Sequence, residues 1–91
     1  MEQDVAVVNK YGLHARPAMQ LVEMANRFGS KIELSNGVLT VDAKSIMSVM
    51  RLAATQGTMR KIVADGHDAD QAVAALKKLV DDGFGEMDEL A

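Results

Sequence analysis

Ninety-one residues are enough for one domain with a single modest core that needs no metal or disulfide staple. The chain has no cysteine, which excludes disulfides, cysteine-based metal sites and thiol catalysis. A net charge of −3, with Tyr11, Phe28 and Phe84 as the aromatic residues, does not suit a nucleic-acid-binding surface.

The start, Met1-Glu2-Gln3-Asp4, lacks the basic stretch and apolar run of a secretory signal. No uncharged apolar stretch approaches the roughly 20 residues that cross a bilayer. A cytoplasmic protein without membrane insertion is therefore expected. No repeat, low-complexity tract or linker divides the sequence, so residues 1–91 are expected to form one domain.

Val5-Ala6-Val7-Val8 reads as a first strand, ended by the polar turn Asn9-Lys10-Tyr11-Gly12. From Pro17 to Phe28 the residues Ala18, Leu21, Val22, Ala25 and Phe28 recur at helical spacing, and Gly29 is the expected stop. Lys31–Ser35 and Val38–Asp42 alternate in polarity around Asn36-Gly37, a type I′ hairpin signal. A two-residue loop there sets Leu34 opposite Leu39 and Ile32 opposite Val41, with all four on one face. Ser45 reads as the N-cap of a short helix from Ile46 to about Ala53. A fourth strand is expected near Thr58 to Ala64, ended by Asp65-Gly66. Asp68 and Gln71 form a capping box for a last helix carrying Ala72, Val73, Leu76, Leu79 and Val80 on one face, with Gly83 as terminator. The order is β-α-β-β-α-β-α, which suits a two-layer α+β packing with one sheet face under helices.

The chemistry concentrates in Gly12-Leu13-His14-Ala15-Arg16-Pro17-Ala18. A helix start offers unpaired N–H groups and the positive end of the helix dipole, a setting for phosphate. His14 has the near-neutral imidazole suited to accepting and releasing a phosphoryl group. Arg16 offers a planar, bidentate grip on phosphate oxygens. Pro17 tolerates a first turn but disfavours α geometry at Arg16, so the helix can start at Ala15 or at Pro17. Ala15, Pro17 and Ala18 support that helix start; either start leaves free amides, including those of Ala15 or Ala18, near the imidazole, while Pro17 and Ala18 are structural rather than chemical.

With His14-Ala15-Arg16-Pro17-Ala18 near the start and Lys44-Ser45-Ile46-Met47 in mid-chain, the sequence resembles the histidine-containing phosphocarrier (HPr) family of the sugar phosphotransferase system. The likeness extends to the Asn-Gly hairpin, the element order and the total length. It implies an open-faced sandwich, a four-stranded antiparallel sheet with three helices on one face. It also implies a carrier rather than an autonomous enzyme, with no cofactor. His14 would be phosphorylated by enzyme I from phosphoenolpyruvate, and the group would pass to an enzyme IIA domain. Ser45 matches the serine that an ATP-dependent kinase, HPr kinase/phosphorylase, modifies in many members. Transcriptional regulators are further implied partners, and a monomer is expected. The family also places the two helix starts on one partner-binding surface.

Ile46, Met47 and Met50 are expected to face partners, because a short helix cannot bury every side and methionine suits adaptable binding surfaces. His14 and His67 show no ligand spacing, so no metal is expected. Three positions depart from the family pattern. Arg60 stands where the fourth strand usually has an inward apolar residue, which calls for a bulge that re-aims Met59 or for an edge position. Ala53 stands for a glycine after the second helix, and Ser48 for one within it. The alternative function is a regulatory module of a nitrogen or metabolic phosphotransferase branch, acting mainly through Ser45 and the second helix.

Overall fold

The structure, a computed structural model, describes residues 1–6, 15–54 and 59–85. In chain order its elements are β1 (Glu2–Asp4), α1 (Ala15–Ala25), β2 (Lys31–Ser35), β3 (Thr40–Asp42), α2 (Ile46–Ala54), β4 (Lys61–Asp65) and α3 (Ala69–Asp81), then a 3₁₀ turn, Gly83–Gly85. The sheet runs β1-β4-β2-β3 with every neighbouring pair antiparallel. Strict alternation makes it one-sided: Ile32, Leu34, Val41, Ile62 and Ala64 are buried, while Lys31, Thr40, Asp42 and Asp65 are exposed. The helices cover the apolar side with Ala18, Leu21 and Ala25 of α1, Val49 and Leu52 of α2, and Val73, Leu76 and Val80 of α3. Complete burial of side chains such as Leu21, Leu34, Ile62 and Leu76 contributes about 2 kcal/mol each. This is the expected open-faced α+β sandwich.

The ladder of β1 begins earlier than its apolar residues suggest. Glu2 pairs with Val63 and Asp4 with Lys61, and the Met1 ammonium donates to the Ala64 carbonyl at 2.7 Å. Val5 continues in register, its N–H donating to the Arg60 carbonyl at 2.8 Å. An edge strand held by main-chain bonds can be polar, which hides it from hydropathy patterning. Val7 and Val8 of the expected strand lie outside the described residues, as does Thr58 of the fourth.

The hairpin forms, but two residues out of the expected register. Leu34 pairs with Val41 and Ser35 with Thr40, and the Asn36 N–H donates to the Leu39 carbonyl at 3.2 Å. The two-residue loop is therefore Gly37-Val38. The Asn36 side-chain oxygen accepts the N–H groups of Val38 and Leu39, each at 2.8 Å, so a side chain does the work of a backbone turn. Gly37 has a positive φ of 90° and Val38 does not, whereas a type I′ turn needs two such residues. A shift of two preserves the side-chain period, so every residue keeps its expected face.

Arg60 is accommodated by a bulge. Ser35 is the register partner of Lys61, yet its carbonyl also accepts the Arg60 N–H at 2.8 Å. Arg60 and Lys61 thus oppose one residue of β2. Met59 and Ile62 are both buried, with two residues between them where a regular strand has one. Arg60 itself is exposed.

α1 ends at Ala25, earlier than Phe28; the Asn26 N–H still reaches the Val22 carbonyl at 3.0 Å, and the two N–H groups after it close tighter turns, Arg27 to Met24 at 3.1 Å and Phe28 to Ala25 at 3.2 Å. Gly29 is not left-handed; its N–H donates to the Asp68 carboxylate at 2.8 Å. That carboxylate also accepts the Ser30 N–H at 2.9 Å and the Ser30 hydroxyl. Asp68 therefore makes no side-chain cap on α3, contrary to the capping-box reading. It ties the α1–β2 loop to the start of α3. The approach is close enough that a Cβ on Gly66 would lie 2.5 Å from the Ser30 hydroxyl oxygen and 2.7 Å from its Cα. At the other end of α3, Gly83 takes the left-handed C-terminal position with φ 64°. Phe84 follows with φ 57° and is buried in the core.

The bond from the Ser30 hydroxyl, then that from the Gly29 N–H, holds the Asp68 carboxyl at about 2, below its ordinary 3.8. A carboxylate with a depressed pKa stabilises the fold above its unfolded value and loses that contribution as pH falls through its folded value. Asp68→Asn should therefore lower stability at neutral pH and flatten the decline between about pH 4 and pH 2. Denaturant midpoints across that range check this; parallel curves for wild type and variant would contradict it.

Candidate functional site

α1 starts at Ala15, the earlier of the two starts that Pro17 leaves open. Ala15 and Arg16 are exposed, while Pro17 and Ala18 are buried and anchor the first turn. Pro17 has no N–H to satisfy in a turn whose donors lack intrahelical partners. No acidic residue occupies this first turn, so no like charge opposes an anion there. His14, which precedes Ala15 in the chain, lies outside the described residues.

The second helix start has the expected cap. The Ser45 hydroxyl accepts the Ser48 N–H at 3.3 Å, and its carbonyl accepts the Val49 N–H at 3.0 Å. This start too lacks an acid in its first turn, in contrast to α3, which carries Asp70. The loop leading into it is fastened to the C-terminal end of α1. The Lys44 ammonium donates to the Phe28 carbonyl at 2.6 Å. The Asn26 amide nitrogen donates to the Val22 carbonyl at 2.9 Å and the Lys44 carbonyl at 3.2 Å. Sequence patterning had no means of pairing Asn26 with Lys44, because neither belongs to an apolar stripe.

These bonds locate the two starts relative to each other. Ser45 sits at the end of α1 remote from Ala15, so an 11-residue helix separates them, roughly 16 Å. The starts share a surface without being neighbours.

Between them lies an apolar patch. Met47 is 79 % exposed, Met19 54 %, Ile46 38 % and Met50 37 %. Met19, Val22, Glu23 and Ile46 line a hollow of about 160 Å³ where α1 meets α2, and Met47, Ser48, Met50 and Arg51 line a second one of about 470 Å³. The three residues expected to face partners are therefore on the surface together. Met19 was missed; it stands next to buried Ala18, so its helical position, just off the apolar stripe, was the available signal. Ala53 lies inside α2 rather than beyond it, and Ser48 occupies the first turn. Among the described residues no group of His, Asp or Glu could hold a metal ion, and no helix is long and apolar enough to cross a membrane.

A family model described as "PTS HPr component phosphorylation site" matches residues 1–82. The chain belongs to the HPr family. It is 42 % identical to the phosphocarrier protein HPr of Cupriavidus necator, over 94 % of this chain and 97 % of that one. The structure of an HPr from Thermoanaerobacter tengcongensis superposes with a TM-score of 0.86 at 42 % identity, covering 94 % of this chain and 97 % of that one. An HPr from Bacillus anthracis gives 0.79 at 44 % identity, covering 88 % and 95 %. The chain is accordingly a phosphocarrier of the phosphotransferase system and not a catalyst in its own right. These likenesses do not favour the regulatory-module alternative.

Removal of the Ser45 hydroxyl leaves the Ser48 N–H without its side-chain acceptor. Ser45→Ala should lower stability by about 1 kcal/mol with the fold unchanged. Thermal unfolding of the two proteins checks this.

Proposed function

We propose that His14 carries the phosphoryl group as a transient phosphohistidine, taken from enzyme I with phosphoenolpyruvate as source and passed to an enzyme IIA domain. The observation that carries this reading is the first turn of α1: an exposed Arg16, no acid, and His14 immediately before it in the chain. A neutral imidazole nitrogen attacks phosphorus as the donor's bond to it breaks, and the reverse exchange delivers the group onward. Phosphoryl transfer asks a protein mainly for positioning and charge stabilisation, which Arg16 and the helix start supply. Ala15, Pro17 and Ala18 keep that start in place.

Ile46, Met47 and Met50, with Met19 and Val22, form the face on which enzyme I and enzyme IIA dock. Such a carrier needs reach rather than a cavity. Ser45 is the regulatory phosphorylation site where the host owns an HPr kinase/phosphorylase, and transcriptional regulators would read the same face. Residues 1–91 act as one cytoplasmic domain. On this reading the chain works as a monomer.

Enzyme I and phosphoenolpyruvate should add one acid-labile, base-stable phosphate, and His14→Ala should abolish it without unfolding the domain. Labelling retained in that variant would overturn the assignment. Arg16→Lys keeps the charge and loses the planar fork, so transfer should slow about tenfold, on the order of 1.4 kcal/mol. Rates equal to wild type would leave Arg16 without a role in transfer.

Phosphate on Ser45 adds up to roughly two negative charges beside the docking face. The α1 length that separates Ser45 from Ala15 exceeds the Debye length of about 8 Å at physiological salt. The effect should therefore fall on docking. Ser45→Asp should raise KM for phosphorylation by enzyme I and leave kcat near wild type, with added salt relieving part of the defect. Steady-state transfer at two salt concentrations tests it; a lowered kcat at unchanged KM would contradict it.

A further inference from the structure

We propose that Met19, Met47 and Met50 form a reversible oxidation site through which hydroperoxides weaken the docking of partners on the α1–α2 face. The proposal rests on reading that face as the partner surface and adds a mode of regulation to it. The chain has seven methionines and no cysteine, so thioethers are its only sulfur chemistry. Three of them lie on α1 and α2, with exposures of 54 % at Met19, 79 % at Met47 and 37 % at Met50; Met19 lines the hollow where the two helices meet, and Met47 and Met50 line a second one on α2. Met59, in contrast, is 1 % exposed, buried between the sheet and the helices. Met24, half-buried, packs against the core, and Met1 is as exposed as Met19 but immediately precedes β1, away from the α1–α2 face. Burial thus separates the sulfurs of that face from Met59, whose oxidation would damage the core.

The step balances with a hydroperoxide as oxidant. A thioether lone pair attacks the terminal peroxide oxygen, the O–O bond breaks, and sulfur gains that oxygen with a two-electron oxidation. The other oxygen leaves as alcohol or, from hydrogen peroxide, as water. A dithiol reductase reverses the change, releasing water and forming a disulfide on the reductase. Sulfoxide turns a flexible apolar side chain into a polar one. At Met47 and Met19 the new S=O dipole would have to be stripped of water whenever a partner covers the patch, which weakens docking roughly tenfold. The helix start at Ala15 and Arg16 is untouched, so the chemical step itself stays unchanged.

The test is graded treatment of the intact protein with hydrogen peroxide, followed by peptide mass spectrometry and steady-state phosphorylation by enzyme I. Met47 and Met19, with the similarly exposed Met1, should oxidise first and Met59 last, with the melting temperature preserved. KM should rise about tenfold at constant kcat, and methionine sulfoxide reductases should restore it. A Met19→Leu/Met47→Leu/Met50→Leu variant should show the same KM before and after peroxide, whatever its starting value. Oxidation of Met59 ahead of Met47, or an unchanged KM after complete oxidation of Met47 and Met19, would overturn the proposal and leave the carrier reading standing. Untreated protein that enzyme I cannot label would overturn the carrier reading and the proposal with it.

Discussion

A four-stranded sheet with one apolar face is the constraint from which the rest of this molecule follows. Ile32, Leu34, Val41, Ile62 and Ala64 all point to the same side, so all three helices must lie there. α1 packs against both α2 and α3, which makes it the middle helix. A middle helix has flanks and floor occupied, and its outer side and its ends are what remains for partners. The same one-sidedness leaves the opposite face of the sheet to charged and polar residues, among them Lys31, Thr40, Asp42 and Asp65. The functional residues therefore gather on the helical side because of a burial requirement set by the strands.

Two loop contacts make that arrangement rigid enough to use. Asp68 binds the loop after α1 to the start of α3, and Lys44 with Asn26 binds the end of α1 to the loop before α2. Both use charged groups on backbone partners, which are stronger than neutral hydrogen bonds. Both act at the C-terminal end of α1, one tying it toward α3 and the other toward α2. The glycine at position 66 is required by the first contact, because any side chain there would meet Ser30.

The pattern of what could be read in the sequence has the same physical root. Periodicity marks faces, so the buried sets of β2, β3, α1 and α3 were legible, whereas Arg60 left a bulge and an edge position both open until the pairing of β4 with β2 decided for the bulge. Register is set by turn chemistry, and the Asn36 side chain closes a two-residue loop at Gly37-Val38 in place of a type I′ turn at Asn36-Gly37. That choice moved the pairing by two residues and left every face unaltered. Long-range polar contacts have no periodic signature: Asp68 looked like a cap because a cap is local, while its real partners lie 38 and 39 positions away. Of the site, Ser45 as a cap and Ile46, Met47 and Met50 as surface were legible from local composition, while Met19 and the Asn26–Lys44 tie depend on how α1 and α2 come together. His14 lies outside the described residues, so its role rests on its place in the motif and on the family.

The separation of the two helix starts bears on how a single small domain can be both carrier and regulated protein. Were the two starts neighbours, a phosphate on Ser45 would raise the energy of every phosphorylated state of the carrier by direct repulsion. With α1 between them, that repulsion is largely screened in salt. What the two starts do share is the apolar patch, and any partner large enough to reach the start of α1 while covering Met19 and Ile46 also approaches Ser45. On the proposed reading, charge at Ser45 and polarity at the methionines act on the same quantity, the stability of the docked complex. Neither alters the imidazole's own chemistry. A carrier built this way can keep its transfer potential constant while its traffic is adjusted, because the proposed acceptor precedes one end of α1 in the chain, Ser45 lies by the other end, and the methionines belong to the docking face between them.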